Sequence, residues 1–139
     1  MNYRIAVKDD IADLVRLRVQ FLKEKQPEKE KTAGETLAFT LEKYFSRHFT
    51  AGDLIFWVAT QDVQIVATGG ICFNRLLPSF EVVEEERAYL LNIYTIPGYR
   101  DKGLEKILFG LLLEEAERRK VSSVTVHGSE TPLHLQSFY

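Results

Sequence analysis

Cysteine occurs once in the 139 residues, as Cys72, so an internal disulfide is excluded and a reducing, cytoplasmic setting is expected. Histidine is scarce as well. The three histidines lack the clustered spacing of a zinc site, so no metal is expected. Apolar runs extend only a few residues, and the N-terminus MNYRIAVKDD turns charged before a signal-peptide core could build. Neither export nor a membrane span is indicated. An excess of positive charge is missing too: 18 Lys and Arg against 20 Asp and Glu leave a net charge of -2, with no surplus cations to neutralise a nucleic-acid backbone. What is present is 45% hydrophobic, 12% aromatic and 27% charged residues, the balance of a packed core under a mixed polar surface. At roughly 150 residues per domain, residues 1–139 are expected to form a single domain.

Hydrophobic periodicity orders the chain. YRIAV (residues 3–7) alternates as a short strand, and Asp9 and Asp10 offer an N-cap for an amphipathic helix from Ile11 to Lys25. QPEKEKTA (26–33) reads as a solvated connection, and a second helix is expected from Gly34 to Ala51, stopped by Gly52 and Asp53. LIFWVAT (54–60) and VQIVATGGICF (63–73), separated by Gln61 and Asp62, form a hairpin. Gly69 and Gly70 inside its second strand predict a bulge or a close backbone approach. After an acidic stretch, EVVEEE, the run Arg87–Pro97 is a strand ended by proline. Leu104 to Lys120 is the clearest helix, Ser122 to His127 a further strand, and SETPLHLQSFY the start of another helix. The order β α α β β β α β α describes a mixed α+β or α/β sheet whose parallel pair comes late in the chain. Function is expected at the C-terminal end of that pair.

The turn Gly98-Tyr-Arg-Asp-Lys-Gly103 lies between a strand and a helix N-terminus, where free N–H groups and the dipole favour a pyrophosphate. Arg100 and Lys102 add charge. The GxxxxG spacing is not a P-loop, because Leu104 and Glu105 follow where Lys and Ser or Thr are needed, and no GxGxxG is present. In the preceding strand, alternation places Tyr89, Leu91, Ile93 and Thr95 on one face and Leu90, Asn92 and Tyr94 on the other.

The stretch LLNIYTIPGYRDKGLEKILFGLLLEEAERRKVSSVTVH resembles the central region of the GNAT superfamily, the acyl-CoA-dependent N-acetyltransferases. There a strand enters a turn of the form Arg/Gln-x-x-Gly-x-Gly/Ala that wraps the coenzyme A pyrophosphate, and a long helix follows. Arg100 and Gly103 match. Glu105 stands where the family has glycine or alanine, and Asp101 where a glycine usually follows the arginine. The resemblance implies a central, mostly antiparallel sheet with a late parallel strand pair and helices on both faces. It also implies acetyl-CoA as cosubstrate, with cofactor-binding residues Ile93, Tyr94, Thr95, Arg100, Asp101, Lys102, Gly103, Leu104 and Glu105. Backbone groups near Ile93 and Thr95 would pair with the pantetheine arm as an added strand does.

The implied activity is N-acetyl transfer from acetyl-CoA to a primary amine of a small molecule or peptide. The competing reading is a catalytically impaired, acyl-CoA-binding module of the same fold, motivated by Asp101, Glu105 and a short C-terminus. Family members often protonate the departing thiolate with a tyrosine on the helix after the fifth strand. Matching Ser-Phe-Tyr139 to the tail of that helix makes Tyr139 the acid, whereas matching Pro-Leu-His134 to a Pro-Leu-Tyr version puts His134 there; Tyr139 is preferred. His127, near the thioester in the family layout, could polarise or relay a proton. Glu84, Glu85 and Glu86 could draw a cationic amine such as a polyamine or lysine. The family's final strand is missing, so the domain is expected to be C-terminally incomplete, and an exposed sheet edge invites a second chain, as in a homodimer.

Overall fold

β-Branched and aromatic residues in alternation build a five-stranded sheet in the structure, a computed structural model that describes residues 1–26, 31–75 and 86–126. The strands β1 (Asn2–Ile5), β2 (Leu54–Gln61), β3 (Gln64–Arg75), β4 (Glu86–Thr95) and β5 (Ser123–Val126) lie side by side in chain order. Neighbours are antiparallel except β4 and β5, which are parallel, as the late strand-helix-strand unit requires. Helices α1 (Ile11–Lys25) and α2 (Lys31–Ala51) cover one face and α3 (Leu104–Arg118) the other. The fold is therefore the mixed α/β architecture expected, with helices on both faces. Of that order, the final helix falls outside the described residues.

Two cores follow from this layering. On the α1 and α2 side, Leu14, Leu17 and Phe45 pack on Phe56, Val58 and Tyr94; on the α3 side, Leu112 and Ala116 pack on Ile71, Ala88, Leu90 and Val124. Leu14, Phe56, Leu90 and Leu112 are fully buried, and each such side chain contributes about 1.5–3 kcal/mol of transfer free energy. The paired glycines serve close packing from both sides. A Cβ on Gly69 would lie 2.9 Å from Leu112 Cδ1 of α3, and one on Gly70 would lie 2.9 Å from the Phe56 ring on the opposite face.

Local expectations fail at three places. Asp10 does not cap α1 with its side chain; its carboxylate turns back to accept the Val7 N–H at 2.7 Å and a bidentate pair from Arg4 at 2.7 and 3.0 Å. A 3-10 turn over Lys8–Asp10 leads into the helix in its place. Lys31, Thr32 and Ala33 belong to α2 rather than to the connection, since none of them is a glycine or proline that would break a helix. In β4, simple alternation breaks at a bulge: Thr68 faces Tyr94 but Gly70 faces Leu91, so Asn92 and Ile93 together oppose Gly69. Asn92 takes φ +57°, and the faces exchange beyond it. Ala88, Leu90 and Ile93 pack toward α3, while Tyr94 packs toward α1, so Leu90 and Tyr94 do not share a face.

Candidate functional site

The bulge sits where the sheet opens. Among the described residues β5 pairs with β4 only from Arg87 to Leu90, so the stretch Leu91–Thr95 is paired on its β3 side alone. The Ile96 N–H bonds the Val66 carbonyl at 3.0 Å, which makes that pair hydrogen-bonded and turns the N–H and C=O of the next residue inward, Thr95, away from β3. That edge faces the space beyond Leu90. Thr95 itself is buried, and its Oγ1 has no hydrogen-bond partner among the described residues.

Six residues beyond Asn92, the chain enters the turn before α3. Gly98, Asp101 and Gly103 take φ of +94°, +64° and +80°, so the turn is built on left-handed backbone at three positions. Asp101 holds the conformation that glycine would hold at no steric cost, and aspartate is one of the few other residues to visit it. Gly103 is the N-cap of α3 and offers no side chain to its first amides, leaving the N–H groups that follow it available to an anion. A Cβ added at Gly98 or Gly103 would meet nothing within 4 Å, so the space above the turn is open. Leu104 is buried and anchors the helix in the core, while Asp101, Lys102 and Glu105 are exposed at the rim.

The arginine of this turn is held from below. Arg100 Nε donates to the Thr95 carbonyl at 2.8 Å and its Nη2 to Glu24 Oε2 at 2.8 Å, with its guanidinium 5.5 Å from the Tyr94 ring centre. The Tyr94 hydroxyl donates to Glu24 Oε1 at 2.6 Å. Burial and the Glu24 carboxylate push the Tyr94 pKa up to about 12, and the tyrosine hydrogen bond followed by Arg100 holds Glu24 below its ordinary value. Tyr94 thus ties β4 to α1 and keeps its proton. Lys102 lies 5.4 Å from the Tyr99 ring centre.

At the bulge itself, Thr68 Oγ1 donates to the Asn92 carbonyl at 3.3 Å, and Arg18 Nη1 of α1 donates to Asn92 Oδ1 at 3.2 Å. Asn92 is buried, and its Nδ2 has no partner among the described residues. Arg18 and Glu24 escaped the sequence reading. Their signal was there: together with Phe21 they stand at spacings of three on the face of α1 that continues Leu14 and Leu17, charged residues on an apolar stripe.

The structure brings Ile93, Tyr94, Thr95 and Arg100 to Gly103 around one opening. It places Glu86 elsewhere, at the far end of β4 about 20 Å from Asn92, its carboxylate 4.0 Å from Arg119 Nε. His127, His134, Tyr139, Glu84 and Glu85 lie outside the described residues. Burial, then the charge of Asp53, pushes the Cys72 thiol up, which disfavours a thiolate nucleophile there. Among the described residues no group of three or more His, Cys, Asp or Glu could hold a metal, and no helix is long and apolar enough to cross a membrane.

Comparison with known proteins meets this geometry. The predicted acetyltransferase of Clostridium acetobutylicum, solved with acetyl-CoA, is 28% identical, with 93% of this chain and 81% of that one aligned at a TM-score of 0.78. A GCN5-related N-acetyltransferase of Ralstonia eutropha JMP134 shares the fold at 19% identity, covering 93% and 84% of the two chains at a TM-score of 0.79. An acetyltransferase of Vibrio fischeri does so at 17% identity, covering 96% and 100% at 0.74. No curated protein matches the chain significantly. The model of the acetyltransferase (GNAT) family matches residues 16–139. With that match over most of its length and the bulged strand leading into an amide-lined turn, the chain belongs to the GNAT acetyltransferase family.

Proposed function

We propose that the chain is an N-acetyltransferase that moves an acetyl group from acetyl-CoA to a primary amine of a small molecule or peptide. One observation carries this reading: among the described residues the β4 edge beyond Leu90 is paired on one side only, and it runs directly into the open, left-handed turn at the N-terminus of α3. The edge suits an extended arm that hydrogen-bonds as a strand would, and the turn suits the phosphates that follow it. Acetyl-CoA, bound there, supplies an activated acetyl thioester. Ile93 and Thr95 would contribute backbone groups on the edge, and the amides from Asp101 to Glu105 would face the pyrophosphate with Lys102 adding charge. Arg100, already bonded to Thr95 and Glu24, would shape the turn as well as lend it a cation. Tyr139 Oη would carry the proton that neutralises the departing thiolate, and His127 would relay one.

A thiol-release assay with acetyl-CoA and a panel of amines tests the proposal, run beside calorimetry of coenzyme A. Turnover supports it. Coenzyme A binding without turnover on any amine would identify an acyl-CoA-binding module, the reading that the carboxylates of Asp101 and Glu105 at the rim favour.

A further inference from the structure

Three acidic side chains at the start of and along α1, Asp10, Asp13 and Glu24, already have a cation. Asp10 pairs with Arg4 at 2.7 Å, Asp13 with Arg16 at 3.4 Å, and Glu24 with Arg100 at 2.8 Å. Arg18 has none. It is half-buried, one of its five N–H groups goes to the neutral Asn92 Oδ1, and its guanidinium lies 5.4 Å from the centre of the Phe21 ring. Burial lowers its basicity, and no carboxylate among the described residues offsets that effect. A partly desolvated cation without a counter-charge is costly to a fold, and it lies against the residue that forms the β4 bulge. Asn92 Nδ2 is also buried without a partner among the described residues, so a cation and a donor are left uncompensated side by side at the bulge.

We infer that Arg18 is a specificity residue that binds a carboxylate on the acceptor, so that the acceptor class is a small amine carrying a carboxylate, an amino acid in the broad sense. This inference rests on the acetyl-transfer reading for its choice of ligand. A guanidinium offers a planar fork that matches a carboxylate in two bonds, and the acceptor's anion would supply the charge that Arg18 lacks. Glu86 does not oppose it, because it stands about 20 Å away along β4.

The test uses ω-amino acids from glycine to 6-aminohexanoate, and lysine, each beside its carboxamide. Thiol release is followed for every acceptor, and calorimetry measures the affinities of the N-acetylated acid and its amide, a readout that does not depend on turnover. For at least one pair the acid should bind tenfold or more tightly than the amide. Arg18→Gln should erase that preference, raise KM for the acid at least tenfold and leave the amide and coenzyme A affinity unchanged; Arg18→Lys should keep part of it. Thermal unfolding of Arg18→Gln should occur at or above the wild-type midpoint, whereas a merely structural arginine would lower it and slow acid and amide alike. No carboxylate preference in any pair, or one that Arg18→Gln leaves intact, overturns the inference. A preference in binding with no thiol release from any acceptor would sink the acetyl-transfer reading and keep the anion site.

Discussion

Asp101 is the residue at which this chain departs from its family with a measurable strain. Its φ of +64° costs an L-residue with a Cβ, and the hydrogen bonds open to a short carboxylate only partly offset this. Asp101→Gly is expected to stabilise the fold by about 0.5–1 kcal/mol in denaturant unfolding, net of the flexibility glycine adds to the unfolded chain. A destabilised variant would mean that the aspartate side chain holds the turn by itself. Tyr94 gives a prediction in pH. Its folded pKa, about 12, lies above the ordinary value of 10, so the fold favours the protonated phenol. The stability this contributes is complete below pH 10 and is lost as pH climbs through 12. Burial raises Tyr44 as well, so an ultraviolet titration should show Tyr94 among the late-ionising tyrosines, and Glu24→Gln should move that one back toward the ordinary range, because the carboxylate that accepts its hydrogen bond is gone.

Between elements, the decisive contacts are those that glycine permits. Gly70 has the Phe56 ring 2.9 to 3.3 Å from where a Cβ would sit, and that ring is fully buried between α2 and the sheet. Gly70→Ala should therefore cost about 1–3 kcal/mol of unfolding free energy through overpacking, with no contribution from backbone strain. At the other end of the site, Glu105 stands in the first turn of α3, where a carboxylate favours the helix dipole but faces the site proposed for an anion. Two opposite signs follow for Glu105→Gly. The helix should weaken by about 1 kcal/mol, while coenzyme A should bind more tightly as charge and bulk leave the rim. Calorimetry showing equal or weaker coenzyme A affinity would mean that the amides of this turn do not meet the pyrophosphate.

For the molecule as a whole, the proposed transfer would need the C-terminal segment and the β4 bulge to act together. The family match runs to residue 139, which includes Tyr139. If its hydroxyl is the acid, Tyr139→Phe should lower kcat by roughly 10² to 10⁴ with coenzyme A affinity nearly unchanged, the pattern of a lost proton donor. A variant with full turnover would move the acid to another residue. Sedimentation beside the assay shows whether activity depends on a second chain along the sheet edge.

Most of the element order was legible from the residues alone, because periods of two and of 3.6 are local properties. The alternation in β2 and β3, the apolar stripes of α1 and α3 and the glycines bounding the turn at 98 and 103 all depend on neighbours a few positions away. The anion-suited turn was legible for the same reason: a strand, a glycine-bounded polar loop and a helix start are contiguous in the chain. The faces of β4 were not, since the bulge arises from pairing with Gly69, 23 to 24 residues earlier, and a single extra residue turns Tyr94 from α3 to α1. Nor could the sequence show that Arg100 is tied to Glu24, 76 residues away, while Arg18 is left with Asn92. Which charges meet and which stay unpaired depends on where helices cross the sheet, and only tertiary packing decides that.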